Sequence, residues 1–471
     1  MTTKTKAIIL AAGKGTRMKS ELPKVLHKIQ GLSLLERVIN ETLKVKDLEG
    51  AVVITGHKSE LVDDLLGQIY CKSTISTVLQ SPQLGTGHAV SMAIPKLQDF
   101  DGNILILCGD TPLLTAEVMD SLCEFHNAEN SDLTVLSAIF ENPTNYGRII
   151  KKNGKLDKIV EEKDATSEQK SITEVNTGVY CLNWKKILPA FATLKSNNSQ
   201  NEYYLTDIIE WAVIQGLNTN AFILEDNNQS FGINSKEHLM QATKILNERT
   251  LKKLLDEGVS IHSLETTFIS PETTIGADTI IYPGTVIEGT NSIGKSNIIG
   301  PNTFIEGNVT TADEVKIVQS KVSNATIGVN STVGPFAHIR DGAQIEEKVR
   351  VGNFVEIKKS QIASNTNVAH LSYIGDAELG QNVNIGAGTI TANYNAITKE
   401  KNKTILKDGV KTGSNSVLVA PVEIGENSSI AAGSVITKNV PENSLAISRA
   451  KQENFAGWTT KQMQKIKGDQ N

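Results

Sequence analysis

Ile269–Ile305 reads ISPETT IGADTI IYPGTV IEGTNS IGKSNI IGPNTF I, so Ile269, Ile275, Ile281, Ile287, Ile293, Ile299 and Ile305 fall six residues apart without exception. Neither an amphipathic helix nor an alternating strand produces that period. It fits a coil whose short flat sides each turn one aliphatic side chain inward. The coils stack at the roughly 4.8 Å spacing of β-pairing, with small residues at the corners. Glycine accordingly follows the aliphatic residue in Ile275-Gly276, Ile293-Gly294, Ile299-Gly300, Ile327-Gly328 and Ile424-Gly425. Further along, the register breaks around Val309 to Ser323. It resumes at Ile327, Val333, Ile339, Ile345, Val351 and Ile357, and a third run holds Leu418, Ile424, Ile430 and Ile436. A parallel β-helix from about Phe268 to Ile436 is the expectation. The period alone leaves open whether it is a passive scaffold or carries a site. Ala392 to Thr404 interrupts the count with polar and charged residues and should project as a loop, where repeat folds often place function.

The first ~230 residues instead alternate β-rich apolar runs with amphipathic stretches, which predicts an α/β domain with a mainly parallel sheet. Strands are expected at Ala7–Leu10, Ala51–Ile54, Ile75–Leu79, Ile104–Cys108, Leu133–Ile139 and Gly178–Leu182. Helices are expected at Leu34–Val45, Glu60–Leu66, Ala116–Phe125 and Tyr204–Ile214. Ligands of such sheets sit at the carboxyl ends of the strands. From Ser235 the pattern becomes helical, and Asn234 with Glu237 reads as a capping box. The expected organisation is therefore a nucleotide-type domain over 1–234, a linker helix over 235–258, the β-helix over 259–450 and a basic tail over 451–471. That tail, with Lys461, Lys465 and Lys467, receives no function.

At 471 residues the chain needs no disulfide or metal to fold. Cys71, Cys108, Cys123 and Cys181 show no C-x-x-C pair and read as reduced thiols of a cytoplasmic protein. The start, MTTKTKAIILAAGKG, resembles a first strand more than a signal peptide. No stretch approaches the ~18 apolar residues of a membrane span. With 52 acidic against 47 basic residues there is no overall basic footprint for nucleic acid, so phosphate chemistry must come from locally placed cations.

The first strand runs into Ala11-Ala12-Gly13-Lys14-Gly15-Thr16-Arg17-Met18, whose backbone N–H groups can converge on an anion. It is neither a P-loop nor a complete dinucleotide fingerprint, and taken alone it is an ordinary tight turn. Lys14, Arg17 and Lys24 cluster around it. Here the chain resembles the sugar-phosphate nucleotidyltransferases. The likeness continues through Gln80-Ser-Pro-Gln-Leu-Gly85-Thr86-Gly87-His88, Cys108-Gly109-Asp110-Thr-Pro-Leu, Asn145-Tyr146-Gly147-Arg148, Ile159-Val160-Glu161, Asn176-Thr177-Gly178 and Glu202-Tyr-Tyr-Leu-Thr-Asp207. It implies that Leu10, Ala11, Ala12, Gly13, Arg17 and Lys24 take the phosphates of UTP and that Gln80, Gly85 and Thr86 take uracil. Gly147, Glu161 and Asn176 would hold the sugar. Cys108 and Gly109 line the nucleotide site, and Asp110 and Asn234 hold Mg²⁺. Without the likeness, Asp110 and Asn234 are ordinary helix caps. Members of the family carry an aromatic residue where Cys108 stands, which leaves a side-chain contact from that position open.

The β-helix has its own polar set: Arg340, Glu356, Lys358, His370, Tyr373, Asn384, Asn393 and Tyr394. Arg340 and Lys358 each follow an inward isoleucine and should point outward, as a phosphate clamp or as solvated charges. The runs GNFVEIKKS, AHLSYIGDAELGQNVNIGAGTITANYN and ISRAK resemble the bifunctional bacterial enzymes that acetylate glucosamine 1-phosphate and then uridylylate the product. This likeness spans nearly the whole chain. It implies His370 as general base toward acetyl-CoA, Glu356 as its orienting partner, Arg340 and Lys358 on the sugar phosphate, and Tyr373 and Asn384 on the sugar. Ala387, Asn393, Tyr394, Ser414, Ala432 and Arg449 would line the coenzyme A path. It also implies a left-handed β-helix and a homotrimer. Two rivals are a single-activity glucose- or mannose-1-phosphate nucleotidyltransferase and a degenerate exchange-factor subunit. His370 and the Asn393-Tyr394 loop argue against the first, and the intact turn, Lys24 and Asp110 against the second.

Overall fold

The computed structural model describes residues 3–468. It falls into two compact units, one ending at Glu248 and the other beginning at Arg249. In the first, the main path of the sheet runs in the order 219–223, 133–139, 174–183, 103–108, 5–10, 48–55, 75–79. Glu174–Asn183 runs antiparallel to both neighbours, and the other main-path pairs are parallel. Alternate side chains feed opposite layers. Ile8, Ile104 and Ile106 pack with Val90, Trp184 and Ile208, whereas Ile9, Leu105 and Leu107 pack with Leu35, Met119 and Leu122. Burial on both faces is why these strands read as unbroken apolar runs. The hairpin Arg148–Lys152/Lys155–Val160 and the edge strand Thr219–Ile223 escaped the sequence reading, because the hairpin is rich in lysine and the edge strand, TNAFI, opens with two polar residues. Leu10 and Cys108 are register partners, so the glycine-rich turn and Gly109-Asp110 leave the sheet side by side.

The helix Lys236–Asp256 begins differently from the expectation. Ser235 Oγ accepts the His238 N–H at 3.1 Å, so Ser235 is the cap and the Asn234/Glu237 capping box is not formed. Asn234 is free of capping duty because its side chain meets two cations, described below. Leu239, Ala242 and Ile245 of this helix pack with Met18, Ile29 and Leu34 of the first unit, and its last turns give Leu251 and Leu254 to the β-helix core.

The second unit is a left-handed parallel β-helix of three stacked sheets with 11, 10 and 9 strands. Each six-residue step places its aliphatic residue in one apolar column of the core. The break expected at Val309 to Ser323 is not a break of the coil. Thr311 takes the inward position after Ile305, its hydroxyl accepting the Gly294 N–H at 3.3 Å. Ile317, Val322 and Ile327 then follow, the last two steps being five residues long instead of six. The insertion leaves after Ala392, folds on itself through a Tyr394–Lys401 bridge with Ile397 fully in solvent, and rejoins at Thr404–Leu406. A helix, Trp458–Gly468, occupies the tail; the side chain of Lys467 and residues 469–471 lie outside the described part.

Candidate active sites

At the carboxyl edge of the first sheet, four segments bring their charged and amide groups together. Lys24 Nζ pairs with Asp110 Oδ2 and also donates to Asn234 Oδ1 at 3.2 Å, while Arg17 Nη2 donates to the same oxygen at 2.9 Å. Gly15 stands in the left-handed region at φ 61°, and a Cβ there would lie 2.6 Å from Lys24 Cβ, so only glycine lets the lysine stem cross the turn. Asp110 arrives on the strand end and Asn234 from the residue before the helix cap. Among the described residues no three His, Cys, Asp or Glu side chains form a ready-made metal cage. Asp110 and Asn234 instead offer two oxygens facing one cationic position.

The expected base-reading residues also converge. Gln80 Nε2 donates to Gly85 O at 3.0 Å and lies 3.1 Å from His88 Nδ1. Thr86 Oγ1 accepts the Leu205 N–H at 3.1 Å, pinning the segment after Glu202 against the turn. Gly85, at φ 111°, allows that approach, since a Cβ would meet the Tyr203 carbonyl at 2.7 Å. Gly147 O accepts the Asn176 N–H at 2.8 Å, and the Glu161 carboxylate flanks Gly147. Burial, partly offset by a hydrogen bond from Thr206, holds the Glu161 carboxyl above its ordinary range. Burial pushes the Cys108 thiol up to about 12. Its Sγ lies 3.6 Å from Gly178 O, so the thiol is a neutral donor packed under the 176–178 turn.

On the β-helix the site residues stack one coil apart. Asn353 and His370 are strand partners, and His370 Nδ1 lies 2.9 Å from Asn353 Oδ1. Asn353 was missed in the sequence; the signal was its position one coil, 17 residues, before the histidine. Glu356, expected beside His370, accepts from Arg340 Nη1 at 2.6 Å instead, with both side chains over a third exposed. His338, Glu356, Tyr373 and Ile390 form the outer column of the second sheet. Lys358 stands outward as expected. The Lys401 ammonium, then the Arg340 guanidinium, hold its pKa below the usual lysine range. Lys401 was the second residue missed, in a stretch read only as a polar and charged interruption of the count. Arg340, Lys358 and Lys401 thus make one cationic patch.

Counting from the paired Val368 and Ile385, Ala387 stands one coil below His370. The next coils place Ser414 and Ala432 in the same column, and Arg449 lies at its foot against Gly433. The column below His370 is therefore lined by small side chains. Asn384 projects three residues earlier on the same coil as Ala387. Asn393 is held by Asp376, and Tyr394 is exposed.

The nucleotidyl transferase family matches residues 6–242, and the bacterial transferase hexapeptide family (six repeats) matches residues 403–438. The bifunctional protein GlmU of Geobacillus sp. strain WCH70 is 45% identical over 449 residues, 95% of this chain and 96% of that protein. That of Clostridium perfringens strain SM101 is 47% identical over 452 residues, covering 96% and 98%. The chain belongs to the bifunctional GlmU family. The GlmU protein of Acetivibrio thermocellus, 42% identical over 456 residues, covers 97% of both chains. As a GlmU-family protein the chain is a bifunctional transferase. Its nucleotidyltransferase unit serves uridylyl transfer and its hexapeptide unit acetyl transfer. Its substrates are small molecules, and no helix of the described residues is long and apolar enough to cross a membrane.

Proposed function

We propose that the β-helix moves the acetyl group of acetyl-CoA onto the amine of glucosamine 1-phosphate. The first unit then joins the product to UMP from UTP, giving UDP-N-acetylglucosamine and pyrophosphate. The observation that carries the reading is the Asn353–His370 pair beside the Arg340–Lys358–Lys401 patch. With Nδ1–H donated to the Asn353 carbonyl oxygen, Nε2 carries the lone pair. His370 takes a proton from the sugar amine as the nitrogen attacks the thioester carbonyl; the C–S bond breaks and coenzyme A leaves as its thiol. The three cations hold the sugar phosphate, with Glu356 fixing Arg340. Tyr373 and Asn384 contact the sugar, and coenzyme A follows the column of Ala387, Ser414, Ala432 and Arg449 beside Asn393 and Tyr394.

In the first unit an oxygen of the sugar 1-phosphate attacks the α-phosphorus of UTP and pyrophosphate departs. The protein aligns the groups and neutralises charge. Leu10 to Gly13, Arg17 and Lys24 hold the phosphates, and Gln80, Gly85 and Thr86 hold uracil. Cys108 and Gly109 line the nucleotide site, while Gly147, Glu161 and Asn176 hold the sugar. Asp110 and Asn234 suit Mg²⁺, a hard cation that takes few protein oxygens and completes its shell with waters and phosphates. When bound it supplies positive charge to the triphosphate. The protein works in the cytoplasm as a homotrimer. Purified protein given acetyl-CoA, glucosamine 1-phosphate, UTP and MgCl₂ is expected to yield UDP-N-acetylglucosamine by mass spectrometry, and a chelator to stop only the uridylyl step. No thiol release from acetyl-CoA would contradict the acyl-transfer half.

A further inference from the structure

The loop inserted after Ala392 is tied to the preceding coil through one residue, Asp376. That residue follows the strand Tyr373–Gly375 and turns the corner in the left-handed region, at φ 48°, where its N–H donates to Lys358 O at 3.0 Å. Its other two polar groups both go to the loop. Carboxylate Oδ2 accepts from the Asn393 side-chain amide where the loop leaves, and the carbonyl accepts the Thr404 N–H at 3.2 Å where the chain rejoins the coil. The Asn402 N–H donates to Asn393 O at 2.8 Å, so the two ends close on each other and Asp376 holds both. One coil earlier Lys359 takes the same corner at φ 46° with the same backbone bond, to Asp341 O at 3.2 Å. The turn itself therefore does not require a carboxylate.

What the loop carries explains why it needs holding. Tyr394 and Lys401 pair across its antiparallel bridge, and residues 394–401 are all exposed, whereas Asn393 at its base is buried. A loop with so little buried surface opens easily. It also brings the Lys401 ammonium beside that of Lys358. The two cations repel, which is the first cause of the low Lys358 pKa, and the Asp376 carboxylate acts in the opposite direction. We propose that Asp376 is a positioning residue for acyl transfer, latching the inserted loop to the coil so that Lys401 stands beside Lys358 and Arg340 before the sugar phosphate arrives. Only its activity arm rests on the acyl-transfer reading.

The latch acts through order rather than contact. A free loop has to be fixed at the moment of binding, and that cost is subtracted from the affinity its lysine supplies. A loop already fixed in place delivers the third cation without it. The Asn393 amide meets an ionised acceptor at a site shielded from water, the arrangement that makes such a bond strong. Asp376 thus joins Lys358, through its backbone, to the loop that carries Lys401, through its side chain and carbonyl.

The test uses the full-length chain. Asp376→Gly keeps the left-handed corner and removes the latch, while Asp376→Asn keeps an acceptor for Asn393 and removes the charge. Native trypsin cleavage after Lys399 and Lys401, followed by mass spectrometry, should run about tenfold faster in Asp376→Gly, with circular dichroism and tail cleavage after Lys461 as in wild type. At saturating acetyl-CoA the KM for glucosamine 1-phosphate should rise about tenfold and kcat fall less than about threefold, with Asp376→Asn between. Uridylyl transfer should not change. Because the latch works through Lys401, adding Asp376→Gly to Lys401→Ala should raise that KM no further. Asn393→Asp sets two carboxylates against each other and should open the loop to trypsin. Adding Asp376→Asn, whose amide donates to the new carboxylate, should close it again. Loop cleavage unchanged in Asp376→Gly overturns the proposal, as does a reversed pair that stays open. A KM penalty that adds in full to that of Lys401→Ala also overturns it and makes Asp376 a structural corner residue. Wild type that releases no thiol from acetyl-CoA sinks the acyl-transfer reading, and cleavage and its rescue then decide the latch alone.

Discussion

The two units assemble their polar sites by opposite routes. In the first, Lys24 reaches Asp110 across 86 positions of sequence and Asn234 across 210. In the β-helix, Asn353 meets His370 at 17 positions and Arg340 meets Glu356 at 16. A parallel sheet gathers loops from distant strands at one edge, whereas a coil repeats its surface every turn, so that one turn of spacing already means contact. A substitution in the coil should therefore disturb one column and its neighbours. One in the sheet site should disturb a junction shared by several segments.

The largest effects should separate the units outright. His370→Ala is expected to cut acetyl transfer by about 10² to 10⁴-fold, the usual contribution of a general base, with uridylyl transfer unchanged. Asp110→Ala should cut uridylyl transfer by roughly 10³-fold, because it removes a metal oxygen and strands Lys24, with acetyl transfer unchanged. Both are read by thiol release and pyrophosphate release on the same folded preparation. If either variant loses both activities, the separation fails.

A smaller effect probes the cationic patch. Arg340→Ala should raise KM for glucosamine 1-phosphate about 10-fold or more with less change in kcat, since a charge-assisted contact to phosphate is lost. Steady-state kinetics checks the split, and an unchanged KM would remove Arg340 from the clamp.

Asn353→Asp sharpens the coil argument through pH. A carboxylate beside His370 favours the imidazolium, so the ascending limb of the acetyl-transfer profile should move up by about one pH unit. No movement would mean that Asn353 does not touch the base.

The smallest effect concerns Asp207, which follows the Thr206 that bonds Glu161. Partial burial, then Glu210 and Asp164, raises the Asp207 carboxyl from its ordinary value to about 6. The folded state thus keeps a proton that the unfolded chain releases, and stability falls as pH rises from about 4 to about 6. Asp207→Asn should remove that loss and stabilise the protein at pH 7 but not at pH 3.5. The residue keeps more than a third of its surface in water, so screening limits the gain to about 1 kcal/mol or less. A thermal melt at the two pH values measures it.

What could be read beforehand follows the same contrast. The β-helix was legible because its period matches no other element; one coil was hidden because threonine at 311 counts as polar while filling the space of valine and because the next steps shorten to five residues. Asn353 and Lys401 were not legible: the first needs the length of the coil, and the second sits in a loop whose path no period fixes. In the first unit, strands and helices followed from apolar runs, but Lys24, Asp110 and Asn234 could be joined only by resemblance. The capping pattern at Asn234 misled because Ser235 is an equally good cap one residue later, and Arg17 and Lys24, which claim the asparagine, lie over 200 positions away. Cys108 looked like a gap in the site, and the 176–178 turn that covers its thiol was invisible in the linear order.

The central claim is that one chain holds two complete and independent sites, and mixing two single-site variants tests it most directly. His370→Ala and Asp110→Ala proteins, each unable to make UDP-N-acetylglucosamine from glucosamine 1-phosphate, acetyl-CoA and UTP, should form it when combined, at a substantial fraction of the wild-type rate. A mixture as inactive as its two components, with both proteins folded, would contradict it.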